Sequence, residues 1–130
     1  MLVTARHNQL VDEVFALAPV IPVLAIDRIE DALPLCRALV DNGLRVLEIT
    51  LRTACALEAI AAVARAMPQA CVGAGTVLNA RDLDAVTQAG ARFAISPGAT
   101  DTLYRHAAGC PIPLIPGIAT ASELMRGLEH

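Results

Sequence analysis

The chain has 130 residues, enough for one ordinary domain and short for two. It is 55% hydrophobic but only 2% aromatic, so its core must be built from Ala, Val, Leu and Ile. A net charge of −3 with scattered basic residues argues against nucleic acid and against a polybasic membrane surface, and no apolar run reaches the ~20 residues of a membrane span.

Leu2 to Leu17 carries Leu10, Val11, Val14, Phe15 and Leu17 at helical spacing, which predicts a helix ended by Pro19. Val20 to Ile26 is a short, continuous apolar run, the pattern of a strand buried on both faces. Glu30 to Asp41 reads as the next helix, with Asn42-Gly43 as its stop. Arg45 to Thr53 then alternates with period two: Leu47, Ile49 and Leu51 on one face, Val46, Glu48, Thr50 and Arg52 on the other. An outer strand with a wet face would show the same alternation. The neighbouring strands are almost free of charge, however, so the polar face is expected to look into a shared interior. A carboxylate and a guanidinium placed there are costly unless paired or functional.

Thr53 is expected to cap a helix over Cys55 to Met67, and Ala70 to Val77 to form the third strand. Asn79 caps a helix running to Ala89; Arg92 to Ser96 is a fourth strand. Thr100 opens a short helix to about Ala108, and Pro113 to Gly117 is a fifth strand. Thr120 and Glu123 have the spacing of a capping box, starting a helix that runs to His130. Strict strand–helix alternation with apolar strands implies parallel strands joined by right-handed crossovers, either as an open doubly wound sheet or as a (β/α)8 barrel. Gly75, Gly98 and Gly117 recur near strand ends at spacings of 23 and 19 residues, and with Ser96 they favour the barrel, whose loops converge on a central ligand.

Several motifs fall away. Gly73-Ala74-Gly75 lacks the third glycine of a dinucleotide loop, since position 78 is Leu78. Ser96 precedes Pro97 and has no nucleophile-elbow context. Cys36, Cys55, Cys71 and Cys110 show no paired spacing and read as buried free thiols of a reducing compartment. His7, His106 and His130 are read as surface or helix-end histidines with no carboxylate or cysteine at ligand spacing, so no metal is expected. All ten basic residues are arginines, and a chain without lysine has no side-chain amine for an imine. Glu48, Arg52 and Thr76 remain. Pointing jointly at an anion near the strand ends, Arg52 would bind a carboxylate bidentately with a Thr76 hydroxyl beside it, and a desolvated Glu48 would move protons.

Arg45-Val46-Leu47-Glu48-Ile49-Thr50-Leu51-Arg52-Thr53, Val72 to Val77, Phe93 to Gly98 and Ile112 to Gly117 resemble, in order, segments of the 2-keto-3-deoxy-6-phosphogluconate (KDPG) aldolase family. The resemblance implies an α/β fold of the (β/α)8 TIM-barrel family. This chain would be a single domain over residues 1–130: an N-terminal helix (1–18) and about five β/α units of an incomplete barrel. It implies a class I aldolase, without cofactor, cleaving KDPG to pyruvate and glyceraldehyde 3-phosphate, and also 4-hydroxy-2-oxoglutarate to pyruvate and glyoxylate. By that resemblance Glu48 is the general acid/base, Arg52 and Thr76 bind the pyruvate carboxylate, and Pro97 lines the same pocket. The expected partner is a small 2-keto acid, with no nucleic acid and no membrane. The expected assembly is a homotrimer, or association through unpaired sheet edges, and the expected compartment is the cytoplasm. The family's Schiff-base lysine and phosphate site belong to later units, so the 130 residues alone are expected to be inactive. Two other readings stand beside this one: another barrel enzyme for a phosphorylated substrate, and a non-catalytic partial-barrel scaffold.

Overall fold

The computed structural model describes residues 2–130, with side chains from residue 5 onward. Helices and strands alternate: α1 (Leu2–Leu17), β1 (Val23–Leu24), α2 (Ile29–Asp41), β2 (Val46–Thr50), α3 (Ala56–Ala66), β3 (Cys71–Gly75), α4 (Ala80–Gln88), β4 (Ala94–Ser96), α5 (Asp101–Ala107), β5 (Leu114–Pro116) and α6 (Ala121–Glu129). The five strands form one parallel sheet in the order β1-β2-β3-β4-β5. A doubly wound sheet must reverse its strand order at a switch point, and this one never does. Each strand is added beside its predecessor, as in a TIM barrel.

The period-two pattern sorts the core into two layers. Leu47, Ile49, Val72, Ala74 and Ala94 pack with Ile60, Val63, Leu83, Val86 and Leu103 of the helices. Val46, Cys71 and Phe93 point the other way and pack with Val14 and Ala18 at the end of α1. Residues one apart in β2 therefore serve different layers, as alternation requires. Among the described residues no side chain larger than Phe93 is fully buried, in keeping with a core poor in aromatic residues. The same ring explains Gly73, because a Cβ there would collide with it.

Helix boundaries follow local chemistry. The Asn79, Thr100 and Thr120 side chains accept from the backbone N–H groups of Asp82, Leu103 and Glu123. Thr120 and Glu123 complete a reciprocal capping box. Gly43 and Gly90 stand at φ +94° and +96° just beyond α2 and α4, a left-handed stop that a side chain would strain.

Three expectations are corrected. The first strand is only Val23–Leu24, with Val20 and Val23 more than half exposed, because Pro19 and Pro22 withhold ladder donors and β1 is an edge of the sheet. Thr53 does not cap α3: the N-cap is Cys55, without a side-chain cap bond, and the Thr53 hydroxyl lies 3.9 Å from the Cys55 sulfur. The cysteines are free, but only Cys36 and Cys71 are buried, while Cys55 and Cys110 are half-buried. Among the described residues no helix is long and apolar enough to cross a membrane.

Candidate active site

The strand β2 is buried along its whole length, and its carboxylate is the outlier in that setting. Glu48 is 8% exposed and pairs in register with Val23 and Gly73. Its carboxylate lies across β3, occupying the space where a Cβ of residue 75 would stand, so any larger residue there would have to displace the Glu48 side chain. Burial pushes the Glu48 carboxyl above its ordinary value, and the Arg52 charge pulls part of the way back. Such a group holds and releases a proton more readily near neutrality than an exposed glutamate does.

Thr50, on the same face, spends its hydroxyl on the Leu24 carbonyl at 2.9 Å and so ties β2 to β1. Arg52 lies just past the strand end, where the backbone turns, and its Nε donates to the Thr76 hydroxyl at 3.2 Å. Thr76 follows β3 directly and is, among the described residues, the one non-glycine with positive φ, at 61°. A β-branched residue in the left-handed region is strained and persists only where its surroundings over-determine it. The strain sits beside the exposed guanidinium. Arg52 and Thr76 therefore present donors at the carboxyl ends of adjacent strands, above a carboxylate set deeper in the sheet. That arrangement can hold a small anion at the rim and exchange protons with it from below.

Of the residues singled out from sequence, Arg52 and Thr76 are joined by a hydrogen bond, and Glu48 and Arg52 are linked by charge without an ion pair. Pro97 stands apart. It is exposed after β4, and its carbonyl oxygen lies 2.7 Å from where a Cβ of residue 117 would be, so Gly117 admits the Pro97 backbone. Gly117 N–H donates to the Ser96 carbonyl at 2.7 Å, while the buried Ser96 hydroxyl has no partner. Clefts of about 450 Å³ beside α4 and α5, and of about 360 Å³ between α1 and Arg92, lie away from these residues. The space above Glu48 is an open arc of a sheet with two free edges, rather than a closed cavity.

Sequence reasoning missed two features. The role of Gly75 as the floor beneath Glu48 appears only once β2 and β3 are in register. The reading of His106 as lacking a ligand partner is also corrected: Asp84, His106 and Cys110 bring their ligand atoms within 4.8 Å of one another. The four-residue spacing of His106 and Cys110 was a visible signal; the approach of Asp84 from another helix was not.

The KDPG and KHG aldolase family profile matches residues 11–130. The KHG/KDPG aldolase of Escherichia coli K12 is 53% identical over 119 residues, covering 92% of this chain and 56% of that protein. The 2-dehydro-3-deoxy-phosphogluconate aldolase of Dickeya dadantii matches at the same identity and coverage. The KDPG aldolase of Legionella pneumophila, solved with pyruvate captured as a covalent carbinolamine, superposes with a TM-score of 0.87 at 51% identity, covering 89% of this chain and 56% of that one. The Zymomonas mobilis ZM4 enzyme, solved with 3-phosphoglycerate, gives a TM-score of 0.89 at 51% identity, covering 95% and 58%. The chain thus spans little more than half the length of these relatives.

Proposed function

We propose, since this chain belongs to the KDPG and KHG aldolase family, that it supplies the proton-transfer and carboxylate-binding half of a class I aldolase site. The reaction is cleavage of KDPG to pyruvate and glyceraldehyde 3-phosphate, and of 4-hydroxy-2-oxoglutarate to pyruvate and glyoxylate. Residues 1–130 form the N-terminal portion of one barrel domain, with residues 1–18 preceding its first strand. Its partners are 2-keto acids and further copies of the protein, a trimer by family likeness, in the cytoplasm.

The observation that carries this reading is the Arg52–Thr76 hydrogen bond of 3.2 Å at the strand ends, above a Glu48 that is 8% exposed. Arg52 and Thr76 bind the carboxylate of the 2-keto acid, and by family likeness Pro97 lines the same pocket. Glu48 gives a proton to the departing hydroxyl as the imine forms and exchanges one at the adjacent methyl carbon, its raised affinity for protons serving both directions. The imine needs an amine that these 130 residues do not carry in a side chain, since they contain no lysine.

Borohydride trapping with labelled pyruvate tests the division of labour. The 130-residue chain alone is expected to retain no label, and a covalent adduct on it would overturn that part of the proposal. In the protein with its full barrel, Glu48→Gln is expected to lower kcat by about 10²–10⁴ with little change in KM. Arg52→Ala is expected to act mainly on KM. Unchanged kinetics in both variants would favour a different barrel chemistry.

A further inference from the structure

The end of the sheet opposite the candidate active site carries a second cluster of chemistry-bearing side chains. Asp84 projects from α4, His106 from the last turn of α5, and Cys110 from the turn between α5 and β5. His106 Nε2 and Asp84 Oδ1 are 2.7 Å apart. The three residues' ligand atoms all lie within 4.8 Å of one another, beside a cleft of about 450 Å³. Three separate segments thus converge on one point.

Their supports are fixed. Gly109 and Cys110 donate backbone N–H bonds to the carbonyls of His106 and Ala107, each at 3.0 Å, which folds Cys110 back under the helix end. The Cys110 carbonyl is in turn hydrogen-bonded by the His7 ring at 2.9 Å, so α1 holds the same turn from the other side. Leu83, next to Asp84, and Leu103, one turn before His106, are buried and seat α4 and α5 in the core. Ligands on pre-positioned elements lose little freedom on binding.

We propose that Asp84, His106 and Cys110 form a binding site for a borderline-soft divalent transition ion, Zn²⁺ or Co²⁺, which clamps α4 to α5 and to the turn before β5. One imidazole, one carboxylate and one thiol is a donor set such ions favour, and a water completes the tetrahedron. Thiolate and carboxylate together balance the two positive charges, although Arg105 lines the same cleft and opposes them. On binding, the Cys110 thiol gives its proton to solvent and the His106 proton moves to Nδ1, leaving Nε2 free for the ion. The Asp84–His106 pair must open from 2.7 Å to about 3.3 Å for metal–ligand bonds of about 2.0 Å, a side-chain adjustment. A nucleophilic role for the same three groups fits less well, because burial and the Asp84 charge push the Cys110 thiol up rather than down. At the amino-terminal face of a barrel the role is structural rather than catalytic.

The test is titration of the tag-free, chelator-treated protein with Co²⁺, followed by thiolate-to-cobalt charge-transfer absorption, and with Zn²⁺, followed by thermal unfolding. One equivalent of Co²⁺ should develop the charge-transfer band, and Zn²⁺ should raise Tm. Cys110→Ser and His106→Gln should lose the band and the Zn²⁺-dependent rise in Tm, with affinity falling by more than the ~10–100-fold typical of an outer-shell partner. Asp84→Asn should weaken both. His130→Gln should change neither. Absence of the band in the parent protein, or a band of equal strength in a folded Cys110→Ser variant, would overturn the proposal. Should either ligand variant fail to fold, carboxamidomethylation of the folded protein at Cys110 replaces it, and a band surviving that treatment would do the same.

Discussion

At the scale of single residues the site is built on two costs that the fold carries. Glu48 is an acid buried along a strand, its affinity for protons raised above the ordinary value of 4.5. A raised folded value means that the native state holds the proton more tightly than the unfolded chain does. Its stabilising effect is complete below pH ~4.5 and is lost as pH rises through the folded value. Urea unfolding across this range should show the parent protein losing stability relative to Glu48→Gln as pH increases; parallel curves would mean that Glu48 is not desolvated. Thr76 is the second cost, held at φ 61°. Thr76→Gly should raise stability by about 1 kcal/mol, the left-handed penalty less glycine's extra unfolded-state freedom, while pyruvate binding in the full barrel weakens. A variant that gains stability and keeps its affinity would show that the strain has no functional partner. Cys36 is inert by comparison, with burial lifting its thiol to about 11.

At the scale of elements, what matters is how adjacent strands share one interior. β2 and β3 pair from Val46↔Cys71 to Thr50↔Gly75, and the bulky inward residues of one meet the glycines of the other. Gly73 admits the Phe93 ring and Gly75 admits the Glu48 carboxylate. Gly75→Ala should therefore displace Glu48 rather than merely tighten the core. In the full barrel we expect a loss in kcat larger than any change in KM, and a pH profile moved toward that of an exposed glutamate. A variant with ordinary kinetics would place the carboxylate elsewhere during turnover. Much of this element layer was legible in the chain. The caps at Asn79, Thr100 and Thr120 and the alternation of β2 are local signals, readable because capping and pleating act over three or four residues. The Thr53 cap was misread because the turn after β2 places the first helical residue three positions later, at Ala56.

At the scale of the whole molecule, the sheet has edges at β1 and β5, and α6 buries none of its residues. Leu124, Met125 and Leu128 of α6 are exposed, as is Ile118 before it. Open parallel edges and the uncovered apolar face of an amphipathic helix favour association. The 130-residue chain prepared by itself should associate in a concentration-dependent way by analytical ultracentrifugation, and Met125→Lys with Leu128→Lys should reduce that association; a stable monomer at all concentrations would refute it. The amino-acid sequence by itself determined the order and type of the elements, the inward face of β2 and the identity of Glu48, Arg52 and Thr76 as candidates. These follow from periodicity, capping and motif, which are properties of neighbours in the chain. Only the tertiary structure decided that Gly75 is the floor under Glu48, that Thr76 is strained beside Arg52, and that Asp84 meets His106 and Cys110. Each depends on side chains from different strands or helices occupying the same few ångströms, and such contacts leave no periodic trace in the sequence.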